Sequence, residues 1–190
     1  MPHRIHQLKR SSILIAALFC LQLFPVDSRA QASRATAYRK ADLQIGGYFT
    51  YVKPDYTPQN FRGFGGYLTY DFKPHWGVEA SVRQANTTGA NHVYERTYEI
   101  GGRYVFHKGP FNPYARASFG RGVFNFPYID PNPPIANLAY NLFSFAGGVD
   151  YNLIPAINLR ADYEYQSWLS FPPRGLKPQA LSVGVAYHFH

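Results

Sequence analysis

From Leu43 to Phe189 the sequence keeps returning to one pattern, in which apolar residues alternate with polar or small ones at a period of two. That period belongs to the β-strand, whose successive side chains point to opposite faces. No stretch after Ala32 is apolar for long enough to cross a membrane as a helix. The chain must therefore bury its apolar residues through strands. Eight segments carry the pattern: Leu43–Tyr51, Phe64–Phe72, Trp76–Arg83, Thr97–Phe106, Tyr114–Val123, Phe143–Tyr151, Ile157–Gln166 and Leu181–Phe189.

A soluble β-sandwich would alternate in the same way, with its apolar face inside. Three features favour the inverse arrangement. Charges sit in mid-strand on the polar faces, at Glu79, Arg83, Glu99, Arg103, Arg116, Asp150, Arg160, Asp162 and Glu164. The apolar faces are aromatic toward their ends, at Tyr70, Phe72, Trp76, Tyr104, Phe106, Tyr151, Tyr187 and Phe189, where girdles at the two water–lipid interfaces are expected. The connections also alternate in length. Lys73 to His75, His107 to Pro113 and Asn152 to Ala156 are tight, whereas Lys53 to Asn60, Gln84 to His92, Asn125 to Ala139 and Ser167 to Pro178 are longer. Short turns on the periplasmic side and long loops outside are the rule for membrane barrels, and closure leaves no unpaired strand edge in hydrocarbon. The expected fold is therefore all-β: an eight-stranded antiparallel transmembrane β-barrel in up-and-down meander order, spanning residues 42–190. About 20 residues are available per strand and connection, against roughly 9–11 needed for an oblique crossing.

The start of the chain reads differently. Arg4, Lys9 and Arg10 precede an apolar run from Ser12 to Leu23, followed by Pro25 and the small-residue sites Ser28-Arg29-Ala30 and Ala30-Gln31-Ala32. That order predicts a cleaved secretory signal peptide over residues 1–32, a short periplasmic lead over 33–41 and export to the bacterial outer membrane. Cys20 is the single cysteine, and Phe19 before it argues against lipidation. A mature chain without cysteine has no disulfide framework and no zinc–thiolate site. Cleavage removes four cations and one anion from the overall +8, leaving a net +5 scattered along the chain. Nucleic acid is therefore not an expected partner.

The run from Gly147 to Tyr165, with Gly147-Gly148-Val149-Asp150-Tyr151, a Pro155 turn and then Arg160-Ala161-Asp162-Tyr163, resembles the sixth and seventh strands of the outer membrane protein A transmembrane domain. Weaker similarity covers Trp76-Gly77-Val78-Glu79 and Asn112-Pro113-Tyr114-Ala115-Arg116. The resemblance implies a barrel-interior ion-pair network that fills the lumen and can act as a gate. Matched by motif, its members are Glu79, Arg103, Asp150 and Arg160, with Arg116 and Asp162 nearby. Arg103 replaces a lysine of that pattern, exchanging a point charge for a fork. Larger members of that family add a peptidoglycan-binding domain after the barrel, and no such tether is expected after His190. A terminal aromatic resembles the signal read by the outer-membrane assembly machinery. Here Phe189 is penultimate.

Catalytic chemistry is not expected. A lipid A deacylase would need Ser, His and an acid on the lipid-facing surface, and its His-x-Ser pattern is absent, because His188 is followed two residues later by His190. His92 and Glu95 form an isolated pair. His188 and His190 share one face, but two ligands without a third do not make a metal site. No cofactor is expected. The partners are outer-membrane lipids, lipopolysaccharide and the assembly machinery. Loop three (Pro127 to Ile135) and loop four (Trp168, Phe171, Pro172, Pro173) are read as aromatic and proline surface for an extracellular partner. Arg62, Arg121, Arg174 and Lys177 are placed near lipid phosphates. The expected role is structural or surface-interacting in a monomer plugged by charged side chains, the alternative being a narrow gated pore.

Overall fold

The computed structural model describes residues 42–87, 93–126, 136–170 and 175–189. Eight strands follow in order: β1 (Asp42–Lys53), β2 (Phe61–Asp71), β3 (Trp76–Thr87), β4 (Tyr94–Val105), β5 (Phe111–Phe126), β6 (Ala136–Ile154), β7 (Ile157–Trp168) and β8 (Gln179–Phe189). Each pairs antiparallel with its sequence neighbours, and β8 returns to β1 to close the barrel. The seam runs from Leu43 opposite Phe189 to Lys53 opposite Gln179. The expected closed meander is what forms. The residues read as signal peptide and lead, the loop from Pro127 to Ile135, His92, Phe171 to Arg174 and His190 lie outside the described residues.

The alternation sorts residues as the strand period requires. Phe64, Ile100, Phe145, Leu181 and Val183 point outward and are at least half exposed, while Thr50, Thr69, Glu79, Arg103 and Arg160 point inward and are buried. A globular protein in water does not display an apolar belt of this extent; in hydrocarbon it is the favourable surface. An Ile100→Arg substitution, mid-strand on that belt, is expected to cost about 2–4 kcal/mol of folding stability in lipid vesicles. Urea titration of the folded fraction would measure it.

The structure corrects two details of the expected surface. The aromatics anticipated for two girdles gather at one end, the end of the short turns, where β1 begins and β8 ends. Contacts there include Trp76 with Tyr104 at 4.9 Å, Tyr104 with Phe106 at 4.8 Å, Phe111 with Tyr151 at 4.9 Å and Tyr187 with Phe189 at 5.2 Å between ring centres. The strands also run farther toward the long loops than the alternation indicated. Gln84 to Thr87, Asn125, Phe126 and Ala136 to Ala139, expected as loop from the sequence, are strand. Amide-rich and Pro-flanked sequence hid the alternation there, while ladder pairing such as Asn86 with Tyr94 and Asn125 with Asn137 continues it.

An eight-stranded lumen is just wide enough for side chains, so large inward rings need small neighbours. Tyr48 lies over Gly65 and Tyr67 over Gly46, and a Cβ on either glycine would come within 2.3 Å of the facing ring. The two pairs are cross-strand partners, so β1 and β2 exchange ring for glycine in both directions.

Candidate functional site in the barrel interior

β7 organises the lumen. Its inward positions, read from the short-turn end, are Asn158, Arg160, Asp162, Glu164, Gln166 and Trp168, all buried. Each level meets groups from other strands, because a closed barrel brings strands distant in sequence face to face across its axis.

The lowest charged level centres on Glu79 of β3. Its carboxylate accepts from Arg160 at 2.7 Å, from Arg103 at 3.5 Å and from Arg116, and it also accepts the Thr69 hydroxyl at 2.8 Å. Asp150 of β6 accepts from Arg160 through Nε at 2.7 Å and from Arg103 at 2.9 Å. Asp71 lies 3.6 Å from Arg103. Two tyrosines flank the Arg160 guanidinium, with Tyr67 at 3.8 Å and Tyr114 at 4.8 Å from its central carbon. A guanidinium is weakly hydrated and stacks on aromatic faces, which lowers its cost of burial.

Arg116 joins this level to the next, because its other nitrogen donates to Glu164. Glu164 also accepts from Arg83 at 2.8 Å, and Arg83 lies 3.6 Å from Glu95. Gln166 donates to Glu99 at 2.9 Å and to Glu164 at 2.8 Å, and Ser144 donates to Glu99. Above Gln166 the character changes. Trp168 donates its indole N–H to Gln166 at 2.9 Å, and its ring belongs to an apolar cluster with Val52, Phe61, Ala85, Phe124, Leu142, Leu176 and Ala180. A Cβ on Gly122 would sit 2.2 Å from the Trp168 ring. The lumen is thus filled by a charged column with an apolar cap at the long-loop end.

Of the six residues assigned to the network, Glu79, Arg103, Arg116, Asp150 and Arg160 lie in one connected cluster. Asp162 stands beside it and accepts the Tyr114 hydroxyl at 2.7 Å. Arg83, Glu95, Glu99 and Glu164 extend the network beyond the six residues that the sequence motifs assign, and Arg83, Glu99 and Glu164 are mid-strand charges in the sequence. Trp168, expected on the outer surface from the sequence, is 1% exposed, because the period of two continues along β7 through that residue and turns it inward. Read to its end, that period is the signal for the cap. His188 likewise faces inward, with Nδ1 2.9 Å from Asp42.

Charge is sorted radially. Among the described residues the lumen holds eight acids (Asp42, Asp71, Glu79, Glu95, Glu99, Asp150, Asp162 and Glu164) against four arginines (Arg83, Arg103, Arg116 and Arg160). Outside it stand Lys53, Arg62, Lys73, Arg96, Lys108, Arg121 and Lys177, with Asp55 the one acid among the described residues.

A closed meander of eight strands, apolar outside and charged within, defines a small membrane-spanning barrel. The chain belongs to the outer membrane protein beta-barrel domain family, which matches residues 16–189. That membership puts it among bacterial outer-membrane proteins. Neisserial surface protein A superposes with a TM-score of 0.60 at 15% identity, covering 79% of this chain and 97% of that one. Ail, the attachment invasion locus protein of Yersinia pestis, superposes at 0.56 with 22% identity, over 78% and 97%. The outer membrane protein OprG from Pseudomonas aeruginosa superposes at 0.57 with 17% identity, over 80% and 97%. At these identities the likeness is one of fold. No curated protein matches the sequence.

Proposed function

We propose that this protein is a non-enzymatic, non-conducting outer-membrane barrel that acts in envelope structure or at the cell surface, its interior plugged by side chains. The observation that carries this reading is the double closure of the lumen: the charged column below and the Trp168 cluster above. Buried charges that are mutually paired fill and rigidify a cylinder, and separating them costs several kcal/mol. An apolar constriction opposes wetting and ion passage. The surface and attachment roles named for Neisserial surface protein A and Ail agree with a surface role.

A second reading, a narrow gated pore, draws on one feature. Arg103 and Arg160 each reach both Glu79 and Asp150, so either arginine can trade partners without losing an acid. Planar-bilayer recording of the refolded protein separates the two readings. The plugged barrel gives no discrete steps, either as wild type or as Arg160→Ala. Steps in the wild type that grow when Arg160 is lost overturn the plug and establish the gate.

A further inference from the structure

The outward face of β1–β3 near the long loops is unlike the rest of the apolar belt. A cleft of about 320 Å³ opens there, lined by Phe49, Arg62, Gly63, Phe64, Gln84 and Asn86. Its floor, toward the membrane centre, is the edge-to-face pair Phe49 and Phe64, whose ring centres are 5.5 Å apart and of which Phe64 is 72% exposed. Its upper wall is polar. Arg62 stands opposite Asn86 on the paired strand, and Gln84 stands opposite Arg96. Arg96 donates through Nε to the Gln84 side-chain oxygen at 2.9 Å, and the Gln84 amide donates to Asn86 at 3.4 Å. The Arg96 guanidinium also lies 5.4 Å from the Tyr94 ring centre.

Among the described residues neither Arg62 nor Arg96 has a carboxylate within ion-pair distance. The radial sorting of charge explains why: the acids that would neutralise them face the lumen. A cationic, amide-rich wall directly above an aromatic floor, at the end that faces outward in this family, is complementary to one kind of neighbour. It must carry phosphate at the interface, hydroxyl or amide groups for Gln84 and Asn86, and several acyl chains to cover Phe49 and Phe64. We infer that this cleft binds a phosphorylated, multiply acylated glycolipid of the outer leaflet, with Arg62 and Arg96 on its phosphate and the Phe49–Phe64 pair under its chains. The inference does not depend on whether the lumen conducts.

The test is native mass spectrometry of the refolded protein in detergent with bis-phosphorylated lipid A. The wild type is compared with an Arg62→Gln, Arg96→Gln double variant and a Lys73→Gln, Lys108→Gln control at the short-turn end. Each cation near a membrane surface contributes about fivefold to anionic lipid binding, so the double variant is expected to retain at least about tenfold less lipid A. The control and the wild type retain it equally. Lipid A without phosphate binds wild type and double variant alike, and phosphatidylglycerol at equal concentration does not displace lipid A. All four substituted side chains lie outside the lumen, so an unchanged unfolding midpoint certifies the fold, and an Arg62→Lys, Arg96→Lys pair restores part of the binding. Equal retention by the double variant and wild type overturns the inference. So does an equal loss in the control, which would indicate general charge attraction. Displacement by phosphatidylglycerol would make the occupant an ordinary anionic phospholipid and overturn the glycolipid assignment.

Discussion

Glu79→Gln is expected to lower the folding stability of this barrel by about 3–5 kcal/mol, the usual cost of removing one partner from a buried charge cluster. Glu79 accepts from Arg103, Arg116 and Arg160, so its neutralisation leaves three buried guanidiniums facing one amide. Asp150 and Glu164 still hold these arginines, but each already serves two. Asp162→Asn provides the contrast. Asp162 accepts the Tyr114 hydroxyl, a single bond that an amide oxygen can also accept, so its loss is expected to cost about 1 kcal/mol. Urea unfolding in lipid vesicles, followed by tryptophan fluorescence, measures both. Equal losses at the two positions would mean that the charges act singly, and the column would lose its place as the element that stiffens the lumen.

Trp168→Ala has an expected cost of similar size, about 3–5 kcal/mol, because it empties the apolar cap. The indole ring is edge-on to Phe124 at 6.4 Å and covers Gly122, and its N–H holds the Gln166 side chain that donates to Glu99 and Glu164. The two closures act in series, which gives a functional corollary. Trp168→Ala alone leaves the charged column in place, and Arg160→Ala alone leaves the cap. Combining them is expected to produce small discrete conductance steps that neither single variant shows. A double variant that folds, as judged by its unfolding transition, and stays silent would show that the remaining side chains suffice to seal the lumen.

The alternation made most of the fold legible. Period two along Ile157 to Gln166 assigns each side chain a face, and the alternation of short and long connections orients the barrel. What it does not contain is height. Arg83 meets Glu164 across the lumen from 81 positions away, and the strand tilt that brings them level is a property of the closed cylinder. For the same reason the second charged level went unassembled, although most of its members were visible as mid-strand charges. The cap was missed for a different reason. Val52, Phe61, Phe124 and Trp168 are apolar residues on the inward face, and they lie at strand ends where a rule of polar-inside no longer describes the sequence.

The seam between β1 and β8 has a consequence for how the barrel comes into being. Asp42 meets His188 from 146 positions away, and Thr50 meets Ser182 from 132. Loops of that length carry a large closure entropy that must be met before the contacts repay it. Until those two strands zip together, each presents a row of unpaired amides and carbonyls that hydrocarbon cannot solvate. A sheet of seven strands is no resting place in the lipid, and a partial barrel offers no ladder on which to wait. Closing the β1–β8 seam is what removes the final pair of unpaired edges from the lipid.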